Sequence, residues 1–187
     1  MALVRASAPA DDIAEILLDA PTIAKRVAEL GARIAADLED KDPVFVSILK
    51  GAQPFLVDLI RQTPIWLSLD FLEVSSYGDR TDSSGVVRIL KDLAHPIEGR
   101  HVLVVEDVLD TGQTLRYVLE HLRQQHPASV RLVTLLDKPS RRQVPIEIDY
   151  TGFEIPDRFV VGYGLDYAER YRNLPFIGVL KPAVYSA

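Results

Sequence analysis

In the segment Val102-Leu-Val-Val-Glu-Asp-Val-Leu-Asp-Thr-Gly-Gln-Thr-Leu115, an apolar run ends in carboxylates and small residues. The run 102–105 is apolar without alternation, which is typical of a strand buried on both faces of a parallel sheet. We expect this strand to end at Glu106 and Asp107. Apolar residues then recur at helical spacing, at Leu115, Val118, Leu119 and Leu122, which predicts that a helix opens at residues 111–114.

The start of that helix is a candidate phosphate site. The first turn of a helix presents free N–H groups and a positive dipole end, and both favour anions. Thr111, Gly112 and Thr114 are small enough to let an anion approach the backbone, and the threonines add hydroxyl donors.

Three carboxylates, Glu106, Asp107 and Asp110, crowd the same place. They would repel a phosphate unless sugar hydroxyls or a divalent cation such as Mg²⁺ lay between them. A phosphorylated sugar meets both conditions. The alternative is that Asp110 or Thr111 only caps the helix, while Glu106 and Asp107 are solvated residues at a strand end.

Composition bounds the class of protein. A chain of 187 residues suits one domain with one core. With 27 acidic and 21 basic residues, a net charge of −6 disfavours a general nucleic-acid binder. The absence of cysteine excludes disulfides and thiolate metal sites, and neither a signal sequence nor an apolar membrane span is apparent. We therefore expect a cytoplasmic protein without nucleic-acid or membrane partners.

Motifs of other chemistries are missing from the sequence. It has no P-loop, no dinucleotide-binding glycine motif, no His-Glu-x-x-His and no Gly-x-Ser-x-Gly. Its four histidines are scattered along the chain rather than clustered, which favours surface or structural roles.

A second strand–helix junction precedes the first. Asp19 is a predicted N-cap, with Pro21 in the first turn of a scaffold helix. Residues 44–49 read as a buried strand that ends at Lys50-Gly51 before a helix restarts near Pro54. By itself Lys50-Gly51 is typical of an ordinary strand-to-helix turn.

The segment 65–85 combines a strand with a polar loop. Apolar residues alternate with Trp66, Ser68 and Asp70, which predicts a strand with unlike faces. The following residues 75–85 are rich in Ser and Gly and form either a hairpin tip or a lid.

Two further features lie toward the end of the chain. Residues 130–136 predict a strand whose end carries a basic loop, 137–142, which is either a solvated turn or a contact for an anion or carbonyl. Phe159, taken alone, would be expected in the core.

Together these residues resemble the type I phosphoribosyltransferase family, because the 102–115 stretch is similar to that family's signature for 5-phosphoribosyl-1-pyrophosphate. Within the family the sequence resembles the bacterial hypoxanthine(-guanine) group. The resemblance implies an α/β fold with a mostly parallel central sheet flanked by helices. It also implies a single domain, 1–187, with a small hood built from the N-terminal segment and residues from about 140 to 187.

The resemblance also implies roles for particular residues. The sugar diphosphate would be bound by Lys50, Gly51, Glu106, Asp107, Thr111, Gly112, Gln113, Thr114 and Arg172. The metal, Mg²⁺, would be bound by Glu106, Asp107 and Asp166. Ser76 and Tyr77 would belong to a lid over the bound sugar.

The purine pocket follows from the same resemblance. Phe159 would stack on the base, the Val160 backbone would bond its edge, and Asp166 would be the associated carboxylate. Lys138 would contact the exocyclic oxygen of a 6-oxopurine, with Asp110 as the group that takes the N7 proton. Either Arg141 or Arg142 could be the loop arginine.

The implied activity is purine salvage: hypoxanthine, guanine or both would react with 5-phosphoribosyl-1-pyrophosphate to give IMP or GMP and pyrophosphate. A homodimer or homotetramer is expected. The alternatives are a nucleotide-sensing, RNA-binding regulator with the same fold and a xanthine-preferring enzyme. The sequence leaves open the choice among hypoxanthine, guanine and xanthine, and any feedback ligand.

Overall fold

A computed structural model describes residues 9–77 and 86–186, which contain two β-sheets. The strands are β1 (Ile13–Leu18), β2 (Val44–Leu49), β3 (Ser68–Tyr77), β4 (Val86–Lys91), β5 (His101–Leu109), β6 (Ser129–Asp137), β7 (Tyr150–Glu154), β8 (Val160–Val161) and β9 (Ile177–Leu180). The helices are α1 (Ala20–Leu38), α2 (Gln53–Arg61), α3 (Gln113–Arg123) and α4 (Pro182–Tyr185). None of these helices is long and apolar enough to span a bilayer.

The main sheet has six strands in the order β4-β3-β2-β5-β6-β7. All neighbours pair in parallel except β3 and β4. The side chains of α1 and α2 share one buried cluster with one face of this sheet, and those of α3 share a second cluster with the other face. The predicted α/β architecture, a mostly parallel sheet flanked by helices, is confirmed.

Strand β5 lies in the middle of the sheet, paired with β2 and β6. Its residues 102–105 are all buried, as the uninterrupted apolar run predicted. The strand does not end at Glu106 and Asp107, however, but continues to Leu109. The reason is that β6 extends equally far, so that Val108 pairs with Leu136 and Leu109 with Asp137.

Helix α1 begins where the sequence indicated. The Asp19 side chain accepts a hydrogen bond of 2.9 Å from the Thr22 amide, and Pro21 lies in the first turn. The apolar face of α1 is buried at Ile23, Val27, Leu30, Ile34 and Leu38.

Strand β3 differs from the prediction in its bounds. It begins at Ser68 rather than near Ile65, and Trp66 lies outside it, 89% exposed. The buried positions are Asp70 and Leu72, whereas apolar Leu69 is exposed. Asp70 is stable there because its carboxylate accepts backbone hydrogen bonds from Phe71 and Ala94, at 2.7 and 2.8 Å.

A second, antiparallel sheet of β1, β9 and β8, here called the small sheet, joins the beginning and end of the described chain. It has its own buried cluster, formed by Val161, Tyr171, Leu174 and Leu180. Helix α4 follows β9 directly, and Val184 and Tyr185 pack against this cluster.

Candidate active site

The carboxyl ends of β2, β5 and β6 meet at one edge of the main sheet, because these neighbours run in parallel. Lys50 follows β2, Asp110 follows β5 and Lys138 follows β6. The Lys138 amide donates a 3.0 Å hydrogen bond to the Leu109 carbonyl, which ties two of these ends together. The predicted site residues of all three junctions are therefore neighbours.

Glu106 and Asp107 form an acid pair on β5 at this edge. Burial raises the pKa of Glu106 well above its ordinary value, and the neighbouring Asp107 charge adds to the effect. Burial also raises the pKa of Asp107 to about 6, although a hydrogen bond from the Val108 amide and the charge of Arg172 act in the opposite direction. Two such half-buried carboxylates, each with a raised pKa, favour a partner that brings protons or positive charge.

The loop after β5 leads into α3 with a glycine at its N-cap. Gly112 has φ of 85°, in the left-handed region that glycine adopts without strain. A Cβ at Gly112 would stand only 3.0 Å from Val144 and 3.1 Å from Ile146, so the segment after β6 covers this turn closely. The Gln143 amide also donates to the Thr111 carbonyl at 3.0 Å. The turn is thus held in place at the start of α3, where the Gln113 amide has only a long, 3.5 Å hydrogen bond to the Thr111 hydroxyl.

The turn after β2 packs against the acid pair. The Leu49–Lys50 peptide is cis. A Cβ at Gly51 would overlap the carboxylate of Asp107, and a Cβ at Gly164 would overlap the Gly51 carbonyl. Glycine at both positions allows the β2 turn to lie between Asp107 on β5 and the segment that follows β8.

Two cations of the site share one carboxylate. Lys50 Nζ lies 3.2 Å from Glu169, and Arg172 Nη2 lies 3.2 Å from the other oxygen of Glu169 and 2.8 Å from Asp166. Hydrogen bonds from Lys50 and Arg172, together with the charges of these two side chains, hold the pKa of Glu169 below its ordinary value. Ala168, Glu169 and Tyr171 all have positive φ, which is uncommon for residues other than glycine.

The two candidate loop arginines have different partners. Arg141 Nε donates to Asp110 at 3.1 Å and lies 3.8 Å from Asp157. Arg142 pairs instead with Asp137 at the end of β6. The side chain that reaches the predicted proton acceptor, Asp110, is therefore Arg141.

Lys138, at the start of this loop, contacts the backbone of the residue before Phe159. Lys138 is only 8% exposed, and its ammonium donates a 2.8 Å hydrogen bond to the Arg158 carbonyl. Phe159 is 41% exposed, which argues against the alternative that it is an ordinary core residue. Its neighbour Val160 is in β8, paired with Val179 of β9.

The predicted metal ligands are not gathered into a closed site. Within residues 9–77 and 86–186, no three His, Asp or Glu side chains are close enough to hold a metal ion together. Asp166 is near enough for its charge to raise the pKa of Asp107, and its carboxylate is paired with Arg172.

Three residues near this site were not predicted from the sequence: Glu169, Asp157 and Tyr185. Of the three, only Glu169 had a sequence feature that could have indicated a site role, because this acid lies between the predicted site residues Asp166 and Arg172. Only part of the predicted lid lies within the described residues. The backbone of Ser76 and Tyr77 belongs to β3, whereas residues 78–85 lie outside the described residues.

The chain is similar to known proteins along most of its length. The sequence model of the phosphoribosyl transferase domain matches residues 14–168. The hypoxanthine-guanine phosphoribosyltransferase of Bacillus subtilis (strain 168) is 53% identical over 176 residues, which is 94% of this chain and 98% of that protein. The protein of the same name from Streptococcus pneumoniae (strain ATCC BAA-255 / R6) is 50% identical over the same shares.

A solved structure has the same fold. The crystal structure of a hypoxanthine phosphoribosyltransferase from Staphylococcus aureus, in a tetragonal crystal form, superposes with a TM-score of 0.93 at 50% sequence identity. The match covers 98% of this chain and 100% of that one.

Proposed function

Because the chain belongs to the phosphoribosyl transferase family, we infer that it is a purine salvage enzyme. It transfers the phosphoribosyl group of 5-phosphoribosyl-1-pyrophosphate to hypoxanthine or guanine. A ring nitrogen of the base attacks C1′ of the sugar, the bond from C1′ to pyrophosphate breaks, and the base loses a proton. The products are IMP or GMP and pyrophosphate.

The observation that best supports this function is the junction of β5 and α3. Two adjacent half-buried acids, Glu106 and Asp107, precede a helix whose N-cap is Gly112. Residues 111–114 offer amides and hydroxyls to the 5′-phosphate, and the acids offer acceptors to the ribose hydroxyls. A phosphorylated sugar is the ligand whose two ends match these two groups.

The leaving group has its own set of donors. Lys50 and Arg172 supply positive charge, and the turn at Gly51 supplies backbone amides. We assign these residues to pyrophosphate, because charge accumulates on it as the bond to C1′ breaks.

The acid pair also fits a divalent cation. Glu106 and Asp107 are half-buried carboxylates with raised pKa, and Mg²⁺ is commonly held by one or two carboxylates, substrate phosphates and water. Asp166 would join them once Arg172 turns to the pyrophosphate. Bound Mg²⁺ would supply neutralising charge to the departing pyrophosphate.

The base would bind between Lys138 and Phe159. Lys138 donates to the 6-oxo group, Phe159 stacks on the ring, and the Val160 backbone contacts the edge. Asp110 accepts the N7 proton. Since Arg141 Nε donates a hydrogen bond to Asp110, that contact must weaken as the proton is transferred.

The hood, the lid and the oligomeric state are parts of the same proposal. The small sheet would form the hood of a single domain, and Ser76 and Tyr77 would begin the lid. The protein would act in the cytoplasm, as a homodimer or homotetramer. Light scattering after gel filtration would measure its oligomeric state.

The deciding experiment is a steady-state assay with 5-phosphoribosyl-1-pyrophosphate, Mg²⁺ and a panel of hypoxanthine, guanine, xanthine, adenine, orotate and uracil. We expect turnover of hypoxanthine, guanine or both, and its loss in excess EDTA. Preference for xanthine would support the alternative enzyme. No turnover of any base, together with retention on an RNA column at moderate salt, would support the regulator instead.

A further inference from the structure

The phenyl ring of Phe159 has aromatic neighbours in two orientations. The Tyr185 ring is stacked on it, with centroids 4.8 Å apart and an interplanar angle of 22°. The Tyr167 ring meets it nearly at a right angle, at 5.7 Å and 85°. A stacked partner covers one face of a ring, so only the opposite face of Phe159 can accept a second stacked ring.

Tyr185 is itself fixed by the fold. It ends α4, whose turn is closed by hydrogen bonds from the Val184 amide to the Lys181 carbonyl and from the Ser186 amide to the Pro182 carbonyl, at 2.9 and 3.0 Å. Its side chain packs against the buried cluster of the small sheet. Tyr185 therefore connects the ring of Phe159 to that cluster.

The backbone of Phe159 does not fix its ring. Its carbonyl accepts a 3.0 Å hydrogen bond from the Leu180 amide, but 41% of the residue is exposed. A half-exposed side chain with no packing partner loses rotamer freedom when a ligand binds, and that loss weakens binding. Contact with Tyr185 removes this freedom before the ligand arrives.

We propose that Tyr185 is a positioning residue for the purine: it supports one face of Phe159 so that the base stacks on the other. Tyr185 does not touch the base. The proposal rests on the proposed function, in which Phe159 is the residue that stacks on the purine.

The test is a kinetic comparison of wild-type protein with Tyr185→Ala, Tyr185→Leu and Tyr185→Phe. Stacking is worth about a two- to tenfold change in affinity. We expect Ala and Leu to raise KM for the purine by that factor, while Phe restores the wild-type value. KM for the sugar diphosphate and kcat should stay within about twofold, because support of the base is the same in the ground and transition states.

Two features of the design separate positioning from loss of structure. Tyr185→Leu keeps apolar packing against the cluster without an aromatic ring, so it stays informative if the Ala variant folds poorly. Trp66→Ala is the control, since it removes a large, 89% exposed aromatic residue that precedes β3, at the other end of the sheet from the site. It should leave both KM values unchanged.

Several results would overturn the role of Tyr185. A fall in the purine KM of the Ala variant would mean that Tyr185 covers the face used by the base. Unchanged KM values, or an equal rise for both substrates, would also contradict it. A wild-type protein that is inactive with every 6-oxopurine would instead overturn the proposed function.

Discussion

Gly51 lies so close to Asp107 that a Cβ atom on the glycine would overlap the aspartate carboxylate. The turn that is assigned to pyrophosphate and the acid that is assigned to the ribose are therefore in direct contact. A change in the position of either one shifts the other, which couples the two halves of the sugar-diphosphate site.

Gly51→Ala should destabilise the fold by about 1–3 kcal/mol, the usual cost of forcing extra atoms into a packed site. The cost should shrink in an Asp107→Ala background, where the overlapping carboxylate is gone. Chemical denaturation of the four proteins of this double-mutant cycle measures the coupling. An equal cost in both backgrounds would show that the contact does not carry the effect.

Asp107→Asn should stabilise the protein without substrates and in EDTA, by an amount that grows from about pH 4 and is nearly complete above about pH 6. The raised pKa of Asp107, about 6 when folded against 3.8 as the ordinary value, means that the folded state binds this proton more tightly than the unfolded state. The charged carboxylate therefore costs stability above pH 6, and that cost disappears as pH falls toward 4. The gain at pH 8 should be at most about 3 kcal/mol, the equivalent of two pKa units. Urea unfolding at pH 8 and pH 4 tests this, and an equal gain at both would contradict it.

Glu169→Gln should tighten binding of the sugar diphosphate and of pyrophosphate. The Glu169 carboxylate pairs with Lys50 and Arg172, and an incoming diphosphate must replace it. Exposed pairs of this kind interact weakly, so we expect at most about a fivefold fall in each dissociation constant. Calorimetric titration measures it, with Glu29→Gln as control because Glu29 forms an exposed pair with Arg26 on α1. Weaker binding would show that Glu169 orders the cations instead.

Asp110→Asn should lower kcat by about two orders of magnitude, the scale of a lost general base, with little change in affinity for the sugar diphosphate. Single-turnover rates and binding titrations separate the two quantities. The role assigned to Asp110 would be wrong if affinity for the sugar diphosphate fell in parallel with the rate.

Lys138→Gln should reduce the preference for 6-oxopurines over adenine. In the wild type, adenine would leave the buried ammonium without its oxygen partner, which costs on the order of 1–3 kcal/mol. The ratio of kcat/KM for hypoxanthine and adenine should therefore fall in the variant. A wild type that used adenine as readily as hypoxanthine would contradict the whole pocket assignment.

The parts of the site that the sequence predicted are those set by local chemistry. The strand–helix junction at 102–115 has an uninterrupted apolar run, acids and helical spacing, all within fourteen residues. The contact of Lys50 with Glu169 was missed because 119 residues separate the two, and no local pattern predicts such a pairing. The burial of Asp70 could not be predicted either. An acid in a strand of alternating pattern is expected to be exposed, and only the structure shows the backbone amides of Phe71 and Ala94 that bind its carboxylate.

The pairing of β1 with β9 has a consequence for biosynthesis. A ribosome makes residues 13–18 long before residues 177–180, whereas the strands of the main sheet are all complete by residue 154. The core of the main sheet can therefore form while β1 is still unpaired. The pairing of β1 with β9 then closes a long loop of chain, which carries an entropic cost. A nascent chain that has not reached residue 177 would therefore contain every strand of the main sheet but not the pairing that builds the small sheet.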